Sequence, residues 1–195
     1  MRSKLFVMTL VLYVAVAAQT GAEELRIRAS QGTSEIFLPG SGWRQAVSGR
    51  RFPPGAKLAT WVDARASFGF AEREGGDGSG GATAEGVSLT VEIGPLGQLE
   101  FRSSEGARDG EALSFSVLAG TVDVRVTGMQ ITVMTRHATL ELNSAKMRYS
   151  NGVLRVDDGA VLVRYPRGGS RSVEAPATVD LARPPAEPVF RTSGG

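Results

Sequence analysis

His137 is the only histidine in a chain of 195 residues with no cysteine. Any Ser–His–Asp or Cys–His catalytic arrangement would have to use it. No Gly-x-Ser-x-Gly nucleophile elbow accompanies it, so it reads as a structural residue at a strand end or turn. A lone histidine without thiolates is a poor basis for a transition-metal site, and thiolate zinc is excluded. Gly76-x-Gly78-x-x-Gly81 matches the dinucleotide fingerprint as a string. That motif needs a preceding parallel strand and a following helix, and no helical period follows Gly81. Gly75-Gly76-Asp77-Gly78 is a single copy of a calcium-type nonapeptide whose site needs stacked copies. Asp157-Asp158 precedes Gly159 and reads as a turn, because Asp tolerates left-handed backbone. Glu72, Glu74 and Asp77 fall in a glycine-rich stretch unsuited to precise catalysis. The expectation is no catalytic residue, no cofactor and no metal.

Residues suited to binding are easier to find. Trp43, Trp61, Phe68 and Phe70 can pack a core or stack on a partner. Core packing is the expectation, with Trp43 the surface candidate because it sits beside Pro39-Gly40-Ser41-Gly42. Arginine supplies 19 of the 22 basic residues. Arg148, Arg155, Arg164, Arg167 and Arg171 gather toward the C-terminal end. On a shared face they would meet an acidic partner or anionic lipid; a solvated sheet face is the plainer reading. Trp43, Arg155 and Arg164 are the partner-binding candidates.

These residues must be positioned by strands, because apolar residues alternate with period two nearly throughout. Val87–Ile93, Leu113–Val117, Thr121–Val126, Gln130–Val133 and Thr139–Leu142 each have one apolar and one polar face. Gly94–Gly97, Ala119-Gly120 and Thr127-Gly128 punctuate them. Asn151-Gly152 and Asp158-Gly159 are hairpin signals. Turns every eight to twelve residues or so predict an all-β sandwich, barrel or solenoid.

The first 22 residues stand apart. Arg2 and Lys4 precede the apolar run Leu5–Ala18. Small residues at Ala15-Val16-Ala17 and Thr20-Gly21-Ala22 offer cleavage sites. This is the order of a secretory signal peptide, and the run is shorter than the roughly 20 residues of a spanning helix. An uncleaved anchor is the competing reading. Removing Arg2 and Lys4 turns 22 basic and 20 acidic residues into 20 of each. The remaining chain is near neutral, which argues against a nucleic-acid-binding face. Export without cysteine fits a bacterial periplasm. The expected layout is a leader at 1–22, an all-β domain at 23–182 with a flexible insertion at 73–86, a polar loop at Ser103–Gly110, and a disordered Pro/Gly-rich tail at 183–195.

Several phrases resemble the FecR-type periplasmic module. They are Ala56-Lys57-Leu58-Ala59-Thr60 after Pro53-Pro54-Gly55, Ala64–Phe70, Val91–Pro95 with Gln98–Phe101, Leu118–Val124, Ile131–Ala138 and Val156–Val163. In order and spacing they cover about Gln31 to Ala182. The resemblance implies a FecR-like two-layer antiparallel β-sandwich or short β-solenoid, with no catalytic residues to carry over. It implies an envelope protein partner and action by protein–protein contact, with peripheral membrane association left open. Two departures stand out. The family's Gly-Thr pair is missing near Asn143-Ser144-Ala145-Lys146. Only four residues precede the apolar run, too few for a cytoplasmic sigma-handling segment, so the regulatory role does not transfer with the module. Two other functional classes share the pattern: a periplasmic lipid or lipopolysaccharide-transport β protein, and a polysaccharide-active β-solenoid enzyme. Having only Lys57 and Lys146 after the leader counts against the enzyme.

Overall fold

A computed structural model describes residues 25–70, 88–102 and 113–183. The leader, the insertion at 73–86 with its glycine motifs and acids, the loop at 103–110 and tail residues 184–195 lie outside the described residues.

The described chain is all-β. Its strands are β1 (Leu25–Gln31), β2 (Ser34–Leu38), β3 (Gly42–Gln45), β4 (Lys57–Thr60), β5 (Arg65–Phe70), β6 (Ser88–Ile93) and β7 (Gln98–Arg102). Then follow β8 (Leu113–Ala119), β9 (Thr121–Thr127), β10 (Ile131–Met134), β11 (Thr139–Ser150), β12 (Val153–Arg164), β13 (Ser170–Glu174) and β14 (Ala177–Asp180). Burial alternates as the sequence predicts: Leu89, Val91 and Ile93 face inward, as do Val122, Val124 and Val126.

All the strands belong to one curled open sheet, which runs β1-β5-β6-β9-β11-β10-β8-β7-β4-β2-β3, with β12 beside β11 and carrying β13 and β14. The long strands β11 and β12 join its two arms. The second half of β11 pairs with β9 and its first half with β10. β12 pairs with β14 through its first half and with β13 through its second. Arm I is therefore β1-β5-β6-β9 plus the ends of β11 and β12 nearest their hairpin; arm II runs from the other ends of β11 and β12 to β3. Most pairs are antiparallel. The exception is β8 with β10, which run parallel because β9, between them in sequence, crosses to the other arm.

The arms close over one core. Phe52, Phe68 of β5, Phe115 of β8 and Phe101 of β7 form a closed ring of contacts. Centroids are 4.7 Å apart for Phe52–Phe68, 5.2 Å for Phe68–Phe115, 5.4 Å for Phe101–Phe115 and 5.9 Å for Phe52–Phe101. Phe68 belongs to arm I, and Phe101 and Phe115 to arm II, so the ring pins one arm to the other.

Two sequence expectations change here. Asn151-Gly152 does make the β11–β12 hairpin, with φ of 49° and 90°, as a type I′ turn requires. Asp158-Gly159 does not form a hairpin; it lies inside β12, which runs on to Arg164. Gly159 has φ of 71°, and a Cβ there would meet the Ser144 carbonyl oxygen at 2.1 Å. The glycine marks where β12 bends against the irregular pairing at Asn143-Ser144. Asp157 is no turn residue either. It accepts a hydrogen bond from Arg155 Nε at 2.6 Å and lies 4.0 Å from Lys146 Nζ.

Phe68→Ala should lower unfolding stability by about 3–5 kcal/mol, the usual cost of emptying a buried aromatic site. Urea unfolding followed by circular dichroism checks this. A loss under about 1 kcal/mol would mean the ring does not hold the arms together.

Candidate interaction surface

At four places the chain passes between arms along one side of the curl: residues 31–34, 60–65, 93–98 and 119–121. The crossings stack. Trp61 N donates to Thr33 O at 3.0 Å, Leu96 N to Trp61 O at 3.2 Å, Thr60 N to Gly97 O at 2.9 Å, and Gly94 N to Thr121 O at 2.9 Å. Thr60 is the polar pin. Its buried hydroxyl donates to Gly94 O at 2.6 Å and accepts from Gly97 N at 2.9 Å. The glycines are there for close approach. A Cβ on Gly97 would lie 2.2 Å from Ile93 Cγ2, and one on Gly120 would lie 2.5 Å from Gly97 Cα.

With no inward space, the larger side chains of the crossings point to solvent. Trp61 is 54% exposed, Val62 70%, Leu96 61% and Leu118 48%. Leu118 is the unpaired residue where the β7–β8 register shifts, Gln98 facing Ala119 and Leu99 facing Val117. It is pushed outward as bulged residues are. Leu96 has φ of 53°. It follows Pro95 in a turn closed by Gly97 N to Gly94 O at 3.2 Å, a place where glycine or asparagine is the ordinary choice. A solvated leucine in left-handed backbone contributes little to the core and carries strain. Exposed apolar groups gathered on one seam are a mark of interaction surfaces.

Trp61 therefore does not pack in the core as the sequence reading expects. It is exposed because its crossing rides on its neighbours' backbones. Phe68 is in the core as expected. Trp43 lies on the edge strand β3, 46% exposed, with its ring edge-on to Phe37 at 5.6 Å. Arg155 sits on the outer face of arm I and pairs with Asp157. Arg164 sits on the outer face of arm II and pairs with Glu141 through Nε at 2.5 Å and Nη2 at 3.2 Å. The three candidates are not brought together. Arg148 makes a two-pronged bond to Asp123, at 2.7 and 3.2 Å. That hydrogen bond, reinforced by the carboxylate's charge, raises the Arg148 pKa above the ordinary arginine value. Glu141 does the same to Arg164. Of the five C-terminal arginines, Arg148, Arg155 and Arg164 are thus engaged in local pairs.

An open depression of about 380 Å³ on the outer face of arm I is lined by Arg65, Ser67, Glu92, Thr121, Asp123 and Arg148. Its two cations and two carboxylates balance. His137 is part of a compact turn. Its backbone N–H and that of Ala138 donate to Thr135 Oγ1, and Arg136 Nε donates to its Nε2 at 2.8 Å. Among the described residues no group of three His, Cys, Asp or Glu converges as metal ligands. Sequence reasoning missed the seam. Gly94, Gly97 and Gly120 were visible as turn residues, but their stacking was not.

The chain is thus an all-β protein with a single curled sheet and an apolar seam. No family model, curated protein or solved structure matches it.

Replacing Leu96 with glycine should leave unfolding stability unchanged or raise it by up to about 1 kcal/mol, because the strain is relieved and little core is lost. Thermal unfolding followed by circular dichroism reads this. A drop of more than about 1 kcal/mol would make Leu96 a structural residue rather than a surface one.

Proposed function

We propose that this is an exported, non-enzymatic binding module of the bacterial envelope, FecR-like in character, acting by protein–protein contact in envelope sensing or assembly. The observation that carries the reading is the seam of Trp61, Val62, Leu96 and Leu118. Four large apolar side chains are held out by a tightly packed backbone, and one of them is kept in left-handed backbone. The FecR-like fold reading, as a short solenoid, draws support from the stacked crossings and from parallel β8 and β10, which β9 joins through the other arm. The signal-peptide pattern of residues 1–22 supports export to the periplasm. The partner is an envelope protein with an apolar contact strip.

The lipid-transport reading requires an apolar channel between the arms, and the mutual contacts of Phe52, Phe68, Phe101 and Phe115 fill that space. The polysaccharide-enzyme reading requires convergent acids and bases, whereas Asp123, Asp157 and Glu141 are each engaged with an arginine.

A photoreactive amino acid at Leu96 or Val62, introduced in intact cells, should give discrete adducts of higher mass. One at Arg125, on the outer face of arm I, should give none. Equal labelling from all three positions, or no adduct from any, removes the seam as the binding surface. Mass spectrometry of the mature protein should find a chain beginning after Ala17 or Ala22; an intact Met1 on the envelope-extracted protein would overturn cleavage.

A further inference from the structure

The depression on the outer face of arm I borders the seam, because each of the four crossings contributes to its lining: Gln31, Arg65, Gly94 with Pro95, and Thr121. Its volume of about 380 Å³ is that of a small-ligand site. Two of its charges neutralise each other, since Arg148 holds Asp123 by two bonds at 2.7 and 3.2 Å. The Thr121 hydroxyl is likewise engaged, 2.8 Å from Ser150 Oγ. Arg65 and Glu92 remain. Among the described residues neither makes a side-chain hydrogen bond or an ion pair.

The strand register explains why both stand alone. Arg65 faces Gln31 on β1. One step past the Ala66–Ile93 pair, its other neighbour is Gly94. Neither offers a carboxylate. Glu92 faces Ser67 on one side and Asp123 on the other. Carboxylates directly opposite each other across a strand pair repel, and the Arg148 fork is closed on Asp123. A cation beside Glu92 relieves that repulsion. Arg65 and Glu92 are diagonal neighbours across β5 and β6, about 7–8 Å apart at Cα. Ser67 and Gly94 occupy the other two corners of that square, and neither carries a bulky side chain. Ala29 beside Ser67 and Pro95 beside Gly94 add apolar lining.

We propose that this depression binds a free α-amino acid with an apolar side chain, its carboxylate forked by Arg65 and its ammonium held by Glu92. The ligand class follows from the layout. One guanidinium and one carboxylate a diagonal apart match a ligand that carries both opposite charges close together, and an α-amino acid separates them by a single carbon. The planar fork of arginine fits a carboxylate, with the Gln31 amide beside it. The Ser67 hydroxyl accepts a second bond from the ammonium. The ligand's side chain rests on Ala29 and Pro95. An extended tripeptide separates the same two charges by three residues of backbone and cannot close on both. The site rests on Arg65 and Glu92 and goes beyond the apolar strip assigned above to a protein partner.

The test is a titration of the full chain with L-leucine, followed by heteronuclear NMR. Amide signals of Ser67, Glu92 and Gly94 should move and saturate. Leucine amide, which lacks the carboxylate, and N-acetyl-leucine, which lacks the ammonium, should each bind about tenfold more weakly or worse, as loss of one charge-assisted bond implies. Trileucine should bind as weakly. Arg65→Gln should erase the preference for leucine over leucine amide, and Glu92→Gln the preference over N-acetyl-leucine. Both side chains are exposed, so the variants keep the fold, which circular dichroism checks. Arg125→Gln, on the same face outside the depression, should bind leucine as the parent does. No saturable shift with leucine, equal binding of leucine and its blocked analogues or trileucine, or preferences unchanged in the two variants overturns the site. Photocrosslinks from Leu96 and Val62 read a different surface, so the two ideas fail separately.

Discussion

The closed ring of Phe52, Phe68, Phe101 and Phe115 is the contact on which the rest of the structure depends. An open sheet has no inherent reason to close. Backbone ladders are satisfied equally by a flat or a curled arrangement, so the curl must come from side chains meeting across it. The aromatic ring supplies that attraction with large apolar surfaces from both arms. Around it, Ile36, Leu58, Leu99, Val117 and Val133 fill arm II, and Ile27, Leu89, Val91 and Val124 fill arm I. With no disulfide available, burial and the strand ladder carry the stability of the fold.

Closing the curl creates the seam. Once the arms face each other, the chain has to cross between them in very little length. Gly94, Gly97 and Gly120 let those crossings touch backbone to backbone, and the Thr60 hydroxyl satisfies two peptide groups that close contact would otherwise strand. The same closeness leaves Trp61, Val62 and Leu96 no way in. The apolar surface that suggests binding is thus a direct consequence of how tightly the crossings pack. Leu96 adds a cost in backbone strain that packing does not repay.

Charge behaves differently from apolar surface in this protein. Asp123–Arg148, Asp157–Arg155 and Glu141–Arg164 are pairs on or between neighbouring strands. Each neutralises itself within a few ångströms. The depression on the outer face of arm I is accordingly balanced, with Arg65 and Arg148 against Glu92 and Asp123.

The sequence by itself determined the strands. Alternation within Leu89–Ile93, Thr121–Val126 and Thr139–Leu142 places side chains in or out with period two, a local property of extended backbone that any reader of the chain can count. It also determined the hairpin at Asn151-Gly152, whose turn type demands those residues. Tertiary structure alone decided that Asp158-Gly159 is a bend inside β12, since the reason is the Ser144 carbonyl on another strand. It decided that β8 and β10 are parallel, that Trp61 is outside while Phe68 is inside, and that Arg155 and Arg164 lie on different faces. Each of those outcomes turns on contact between residues distant in the chain, and periodicity carries no information about which distant backbone comes close.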